Sequence, residues 1–245
     1  MRRVRAAWRL LRVLVHLLHG VAIVMLRFRG LERTLRHRRV RWWAQKMLRV
    51  VGVGLQGVGG AQGGGTLLVI NHISWLDIVA IHALCPEARF VSKAEVKRWP
   101  LVSRLVDAAD SLYLERERRR DAMRVVHHMG EALAAGDTVA VFPEGTTGAG
   151  HCLLPFHANL LQAAIATERP VQPVALRFAD ASEPVSRAVV YVGNTSLLQS
   201  LWLVACAQGL QVRVQFLAPH ESAGAARRDL AERLRVAIEA ALTAP

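Results

Sequence analysis

The chain has 245 residues, a mass of 27.0 kDa and a hydrophobic content of 52%, which is enough for one sizeable core and excludes a disordered protein. Its three cysteines are widely spaced and form no C-x-x-C pair, which excludes a disulfide framework and a cysteine-based zinc site. The net charge is +13, yet residues 50–245 are neutral overall, because residues 1–49 hold 14 basic residues and one acid. A neutral body argues against a nucleic-acid enzyme.

The first 49 residues predict two amphipathic helices. The uncharged run Val13–Leu26 has 14 residues, fewer than the roughly 20 that cross a bilayer, and no cleavage site follows it. We therefore expect residues 1–49 to be a membrane-anchoring helix pair that lies in the plane of an anionic membrane surface. The alternative is a helix pair packed on the protein's own core. On the first helix, one polar stripe comprises Arg2, Arg5, Arg9, Arg12, His16 and His19.

Residues 50–245 predict a single α/β domain with a mixed, partly parallel sheet flanked by helices. The glycine-rich stretch 57–65 predicts a hairpin between two strands. The predicted strands are Val50–Leu55, Thr66–Ile70, Arg89–Ser92, Ser111–Leu114, Thr138–Phe142, Val171–Phe178, Ala188–Val192 and Leu210–Leu217. The predicted helices are Leu76–Leu84, Arg119–Ala135, Asn159–Thr167, Leu197–Ala207 and Gly224–Leu242.

A histidine and a carboxylate stand five residues apart at a predicted strand-to-helix junction, in Asn71-His72-Ile73-Ser74-Trp75-Leu76-Asp77. On one continuous helix the two side chains would point about 140° apart. They meet only if His72 precedes the helix and Asp77 lies in its first turn, and the imidazole then becomes a general base. The alternative is that Ser74 and Asp77 form a capping box. A metal site that adds His82 is disfavoured, because the three side chains share no helix face.

A second motif, Phe142-Pro143-Glu144-Gly145-Thr146, follows a predicted buried strand. Ligands bind at such strand ends in α/β sheets. Glu144 is suited to accept hydrogen bonds from substrate hydroxyls, and backbone amides near Gly145 to bind an oxyanion. Taken alone, the pattern is also typical of an ordinary turn.

Together, the two motifs resemble the N-H-x-S-x-x-D and F-P-E-G-T blocks of the glycerolipid acyltransferases, of the bacterial 1-acylglycerol-3-phosphate O-acyltransferase type. The resemblance covers roughly residues 50–215, with weaker blocks at Leu112–Arg116 and Val171–Val174. It implies that His72 and Asp77 are catalytic and that Glu144, Gly145, Thr146, Arg116 and Lys93 bind substrate, with no metal and no cofactor. The implied reaction transfers an acyl group from acyl-CoA or acyl carrier protein to a lysolipid, at the cytoplasmic face of a bacterial inner membrane, in a monotopic or peripheral protein.

One position departs from the family pattern. The block often continues with an arginine that helps to hold the acceptor phosphate, whereas this chain has Thr147. The expected acceptor is 1-acylglycerol-3-phosphate, and the alternative is another lysolipid such as lyso-ornithine lipid. Two other functions stay open from the sequence: a non-catalytic membrane lipid-binding protein, and a hydrolase that uses Ser74 or water.

Overall fold

The structure, a computed structural model, describes residues 2–93, 100–114 and 119–243. In this part of the chain, one sheet of seven strands is flanked by helices. The helices are α1 (Arg2–Arg27), α2 (Arg33–Val51), α3 (Leu76–Leu84), α4 (Pro100–Ala108), α5 (Arg119–Ala134), α6 (Gln162–Ala166), α7 (Leu197–Cys206) and α8 (Arg227–Thr243). The strands are β1 (Gly54–Val58), β2 (Leu67–Ile70), β3 (Arg89–Lys93), β4 (Leu112–Leu114), β5 (Val139–Val141), β6 (Val171–Ala179) and β7 (Gln211–Phe216).

The strand order in the sheet is β1-β7-β6-β2-β5-β3-β4. The strands from β6 to β4 run parallel, whereas β7 is antiparallel to β6 and β1 runs parallel to β7. The predicted α/β class with a mixed, partly parallel sheet is therefore confirmed. Because β2, β5 and β3 are neighbours and parallel, the segments that follow them emerge at one edge of the sheet.

The central strand β2 explains how the two layers of helices pack. Its residues Leu67–Ile70 are all fully buried, which is expected of a parallel strand covered on both faces. Leu68 and Ile70 face the core on the side of α2, α3 and α7. Leu67 and Val69 face the core on the side of α5, α6 and α8.

The N-terminal helix pair forms as predicted, and it is joined to the body by its polar side chains. On α1, the Arg9 guanidinium donates to the carbonyl oxygens of Ala205 and Ala207, each at 2.9 Å. His16 is 3% exposed, and its Nε2 lies 3.0 Å from the carbonyl oxygen of Trp43 on α2. Part of the polar stripe therefore faces the protein. The expected boundary after residue 49 falls in the last turn of α2, which packs in the main core.

Three sequence predictions about the fold are wrong. Residues 50–51 end α2, so the strand predicted over Val50–Leu55 begins only at Gly54. The strand predicted over Ala188–Val192 is a short 3-10 turn, Arg187–Val189, followed by irregular chain. The glycine-rich stretch is no hairpin, because β7 and β6 separate β1 from β2 in the sheet. Helix α4 was not predicted.

Candidate active site

His72 and Asp77 meet where β2 leads into α3. Residues 71–74 are irregular chain before the helix, and Asp77 lies in the first turn of α3, as the spacing between them requires. His72 Nδ1 lies 2.7 Å from Asp77 Oδ2, and the carboxylate is fully buried. Because a carboxylate only accepts, Nδ1 carries the proton and Nε2 is left with a free lone pair. That is the tautomer of a general base.

The Asp77 carboxylate also orders the turn around the histidine. Oδ2 accepts hydrogen bonds from the backbone N–H groups of Ile73 at 2.7 Å and Ser74 at 2.9 Å. The capping interaction considered from the sequence thus exists through the Ser74 backbone, and it uses the same oxygen as the dyad. The Ser74 hydroxyl is buried and has no hydrogen-bond partner within the described residues.

The His72 imidazole is held by its bond to Asp77 and by an aromatic ring that stacks on it. Phe142, just beyond β5, stacks on His72 with ring centroids 3.9 Å apart and an angle of 12° between the planes. Phe90 of β3 stacks in turn on Phe142, with ring centroids 5.5 Å apart. The His72 side chain keeps 18% of its surface exposed. The ring is therefore fixed in place and still open to a substrate.

Glu144 links the two motifs through the backbone. Its Oε1 accepts from the His72 N–H at 2.7 Å, and its Oε2 accepts from the Leu154 N–H at 2.8 Å. The side chain is 5% exposed. Burial raises the pKa of the Glu144 carboxyl, while the bonds from Leu154 and His72 act against that rise. Glu144 therefore braces the His72 loop, and the predicted contact with a substrate hydroxyl stays a prediction.

The loop after Glu144 folds back over His72. Gly148 N–H donates to the His72 carbonyl oxygen at 2.7 Å. Gly145 has φ +72°, and a Cβ there would come within 2.9 Å of the His157 ring, so both backbone conformation and space favour glycine. Thr146 is exposed beside it.

The two predicted cationic residues have different outcomes. Lys93 ends β3, and the register between β3 and β5 brings this strand end level with the turn at Pro143. Only the backbone of Lys93 is described. Arg116 lies outside the described residues, beyond β4. Their roles in substrate binding stay predictions.

Several residues of the site were not identified from the sequence. Asn71 bonds with its side chain to both N–H and C=O of Leu176, each at 2.8 Å, and so ties the end of β2 to β6. Tyr191 donates its backbone N–H to Ile73 and accepts at its carbonyl from the Thr147 hydroxyl. Asn71 stands next to His72, which is a signal that could have drawn attention to it, whereas Tyr191 carries no such signal.

An apolar cavity of about 310 Å³ lies between α1, α2, α3, α4 and α7. Trp75, three residues after His72, lines it together with Ile78 and Val79. His82 also lines it, and Nδ1 of His82 is buried without a hydrogen-bond partner in the described part of the chain. The cavity has the lining expected for a hydrocarbon chain.

Fold and site together define an α/β enzyme with a histidine–carboxylate pair at the carboxyl edge of its parallel strands. Residues 43–177 match the family model described as Acyltransferase, and the chain belongs to this acyltransferase family. The family and the enzyme class predicted from the two motifs are thus confirmed.

The chain is similar to relatives with two different names. It is 34% identical over 208 residues to a lyso-ornithine lipid O-acyltransferase of Pseudomonas aeruginosa, covering 85% of this chain and 80% of that protein. It is 35% identical over 159 residues to a 1-acyl-sn-glycerol-3-phosphate acyltransferase of Neisseria meningitidis, covering 65% of this chain and 62% of that protein. The crystal structure of the 1-acyl-sn-glycerophosphate acyltransferase of Thermotoga maritima has the same fold, with a TM-score of 0.70, 20% identity and 96% coverage of both chains.

Proposed function

We propose that the chain transfers a fatty acyl group from an acyl thioester to the free hydroxyl of a lysolipid, with His72 as general base. The observation that carries this proposal is the 2.7 Å bond between His72 Nδ1 and Asp77 Oδ2, which leaves Nε2 free on a partly exposed ring. A base in this position typically contributes about 10²- to 10⁴-fold to the rate.

The reaction needs no covalent intermediate on the enzyme. Nε2 of His72 takes the proton of the lysolipid hydroxyl while the hydroxyl oxygen attacks the carbonyl carbon of the thioester. The new C–O bond forms, the C–S bond breaks, and the imidazolium returns the proton to the departing thiolate. The buried Asp77 carboxylate stabilises the imidazolium in between. The backbone N–H groups of Thr146 and Thr147 donate no hydrogen bond within the described residues. We propose that they donate to the negative charge that develops on the thioester carbonyl oxygen.

The acceptor we propose first is 1-acylglycerol-3-phosphate, which would give phosphatidic acid. Arg116, Lys93 and Glu144 are its proposed contacts. One observation favours the second acceptor, lyso-ornithine lipid: Thr147 is uncharged, and its hydroxyl is engaged by the Tyr191 carbonyl. A relative with that activity in its name also matches over most of both chains. The donor is acyl-CoA or acyl carrier protein.

We also propose that α1 and α2 hold the enzyme on the cytoplasmic face of a bacterial inner membrane. Within the described residues, α1 alone has the length and composition to cross a bilayer. Its packing against α2, α4 and α7 favours an orientation in the membrane plane instead. The outer face of α1 exposes large apolar side chains, including Trp8, Leu11 and Val15, next to basic residues. Such a face is stable against the acyl and headgroup boundary of an anionic leaflet.

The experiment is acyl transfer by the full-length protein from labelled acyl-CoA and acyl carrier protein to a panel of lysolipids in vesicles. Esterified lysolipid is the expected product. Free fatty acid as the sole product would replace the proposal with hydrolysis. Lysolipid binding without any product would replace it with a non-catalytic lipid-binding function.

A further inference from the structure

Residues 190–206, which contain α7, expose several large apolar side chains on the outer surface of the catalytic body. This segment has no charged residue. Leu198 is 79% exposed, and Trp202 and Leu203 are 39% and 40% exposed. Large apolar side chains clustered this way on a surface mark a contact with something other than water.

Helix α7 is bonded to α1, which has an exposed apolar stripe of its own. The Arg9 guanidinium binds the carbonyl oxygens of Ala205 and Ala207 at the end of α7. Arg2 Nε donates to the Cys206 carbonyl oxygen at 3.0 Å. These bonds join the end of α7 to the polar side of α1, so the two helices keep a fixed position relative to each other. On α1 the exposed apolar residues recur at steps of four and three, as Val4, Trp8, Leu11, Val15 and Leu18.

The chemistry of the exposed residues on the two helices fits a lipid bilayer. Neither α1 nor α7 carries an acidic residue, and exposed arginines, among them Arg5 and Arg12, border the apolar stripe. A basic border around an apolar face complements anionic headgroups above acyl chains. Trp202 is of the residue type that membrane–water interfaces favour.

The same segment is bonded to both motif loops of the active site. Ser200 of α7 accepts from Trp75 Nε1 at 3.1 Å, and Trp75 is three residues from His72. Tyr191 donates its N–H to Ile73 at 3.3 Å and accepts from the Thr147 hydroxyl. The position of α7 therefore directly affects the position of the loop that holds His72.

We propose that α7 is a second membrane contact, which docks in the interfacial layer of an anionic bilayer beside α1 and thereby holds the active-site loops at the lipid surface. This inference rests on the proposed function, in which α1 contacts the membrane and the acceptor is a lipid. It adds that the catalytic body binds the membrane independently of the basic residues of α1. Because α7 is uncharged, its share of the binding persists at high salt.

The test compares full-length Leu198→Asp with Val236→Asp, which alters a 51% exposed apolar residue on α8, across the sheet from α7. Binding to vesicles of phosphatidylglycerol and phosphatidylethanolamine is measured by flotation at low and high salt. We expect Leu198→Asp to bind about tenfold more weakly at both salt concentrations, since burial of one leucine side chain accounts for at least that factor. Val236→Asp should bind like wild type. The Leu198→Gln and Val236→Gln pair repeats the comparison without introducing a charge.

The outcomes separate this inference from the proposed function. Equal vesicle binding by Leu198→Asp and wild type, with weaker binding by Leu11→Asp on α1, would overturn the α7 contact and leave the proposed function in place. Absence of vesicle binding by wild type would overturn the α7 contact together with the proposed membrane contact of α1, while the acyl-transfer proposal is judged separately by its product. Loss of a dimer in Leu198→Asp with unchanged vesicle binding would show that a second copy covers α7, and would also overturn the inference. A larger loss of acyl transfer with lysolipid in vesicles than with lysolipid dispersed in detergent is expected for Leu198→Asp.

Discussion

The backbone N–H of His72 donates to Oε1 of Glu144 at 2.7 Å, although the two residues stand 72 positions apart. Glu144 thereby fixes the backbone of the general base, while Asp77 fixes its ring. The two sequence motifs are thus parts of one hydrogen-bonded unit. This bond, together with the one from Gly148 N–H to the His72 carbonyl oxygen, gives a physical reason for the two motifs to occur together.

Replacement of Glu144 tests this bracing role. In Glu144→Gln, the amide oxygen still accepts from one of the two backbone N–H groups, that of His72 or that of Leu154. The amide nitrogen cannot accept, so the other N–H loses its partner. Leaving one buried N–H unpaired costs about 1–3 kcal/mol. We expect a drop of that size in the free energy of unfolding, together with slower acyl transfer. Denaturant unfolding and initial rates measure both effects. Unchanged stability would contradict the bracing role.

Asp77→Asn separates ring orientation from charge stabilisation. The amide oxygen of this variant can still accept from the Ile73 and Ser74 N–H groups, but a neutral side chain does not stabilise an imidazolium. We expect the transfer rate to fall by at least about a hundredfold, with a melting temperature close to that of wild type. Asp137→Asn is the matched control, because Asp137 is a carboxylate at the opposite edge of the sheet that binds Arg33 and Arg89. That control should keep its transfer rate, and a comparable loss of rate in both variants would refute the dyad.

His82 makes the stability of the fold depend on pH. Burial, with a smaller effect from His37, lowers the pKa of His82 to about 4 from 6.5. Between these pH values the unfolded chain binds a proton that folded His82 does not, so stability falls as the pH falls through this window. His82→Met should remove a slope approaching roughly 1 kcal/mol per pH unit, whereas His127→Met, at an exposed site on α5, should keep it. Parallel slopes for wild type and His82→Met in denaturant unfolding would contradict this assignment.

The sequence was sufficient to predict the part of the site that local spacing controls. The interval between His72 and Asp77 predicted that the pair meets only across a strand-to-helix junction, and the structure has that junction. The Glu144–His72 and Tyr191–Thr147 bonds join distant segments, and no local pattern encodes them. They depend on the strand order, which one sequence does not reveal.

The errors in the fold come from short apolar runs. The apolar pattern predicts a strand at Val50 and Val51, but both are buried in the last turn of α2. An apolar run this short is equally compatible with the buried side of a helix and with a buried strand, so its residues alone do not distinguish the two. The N-terminal segment shows a related limit: the sequence reveals the polar stripe of α1, but not that Arg9 and His16 within it bond to the protein.

Thr147 is expected to control the choice of acceptor. Thr147→Arg places a cation next to the active-site loop, where it can form a charge-assisted bond to a phosphomonoester. The ratio of kcat/KM for 1-acylglycerol-3-phosphate over lyso-ornithine lipid should rise by roughly tenfold or more. Thr147→Val is the control, since it removes the hydroxyl bond to Tyr191 without adding charge. An equal change of the ratio in both variants would exclude an effect of charge.

The most direct measurement is the rate of acyl transfer to vesicle-bound lysolipid by full-length His72→Ala, compared with wild type and with His151→Ala, an exposed histidine of the loop after Glu144. A general base at position 72 predicts a fall of about 10²- to 10⁴-fold in His72→Ala, with a rate near wild type for His151→Ala. A His72→Ala protein that is folded and transfers acyl groups at the wild-type rate would contradict the account.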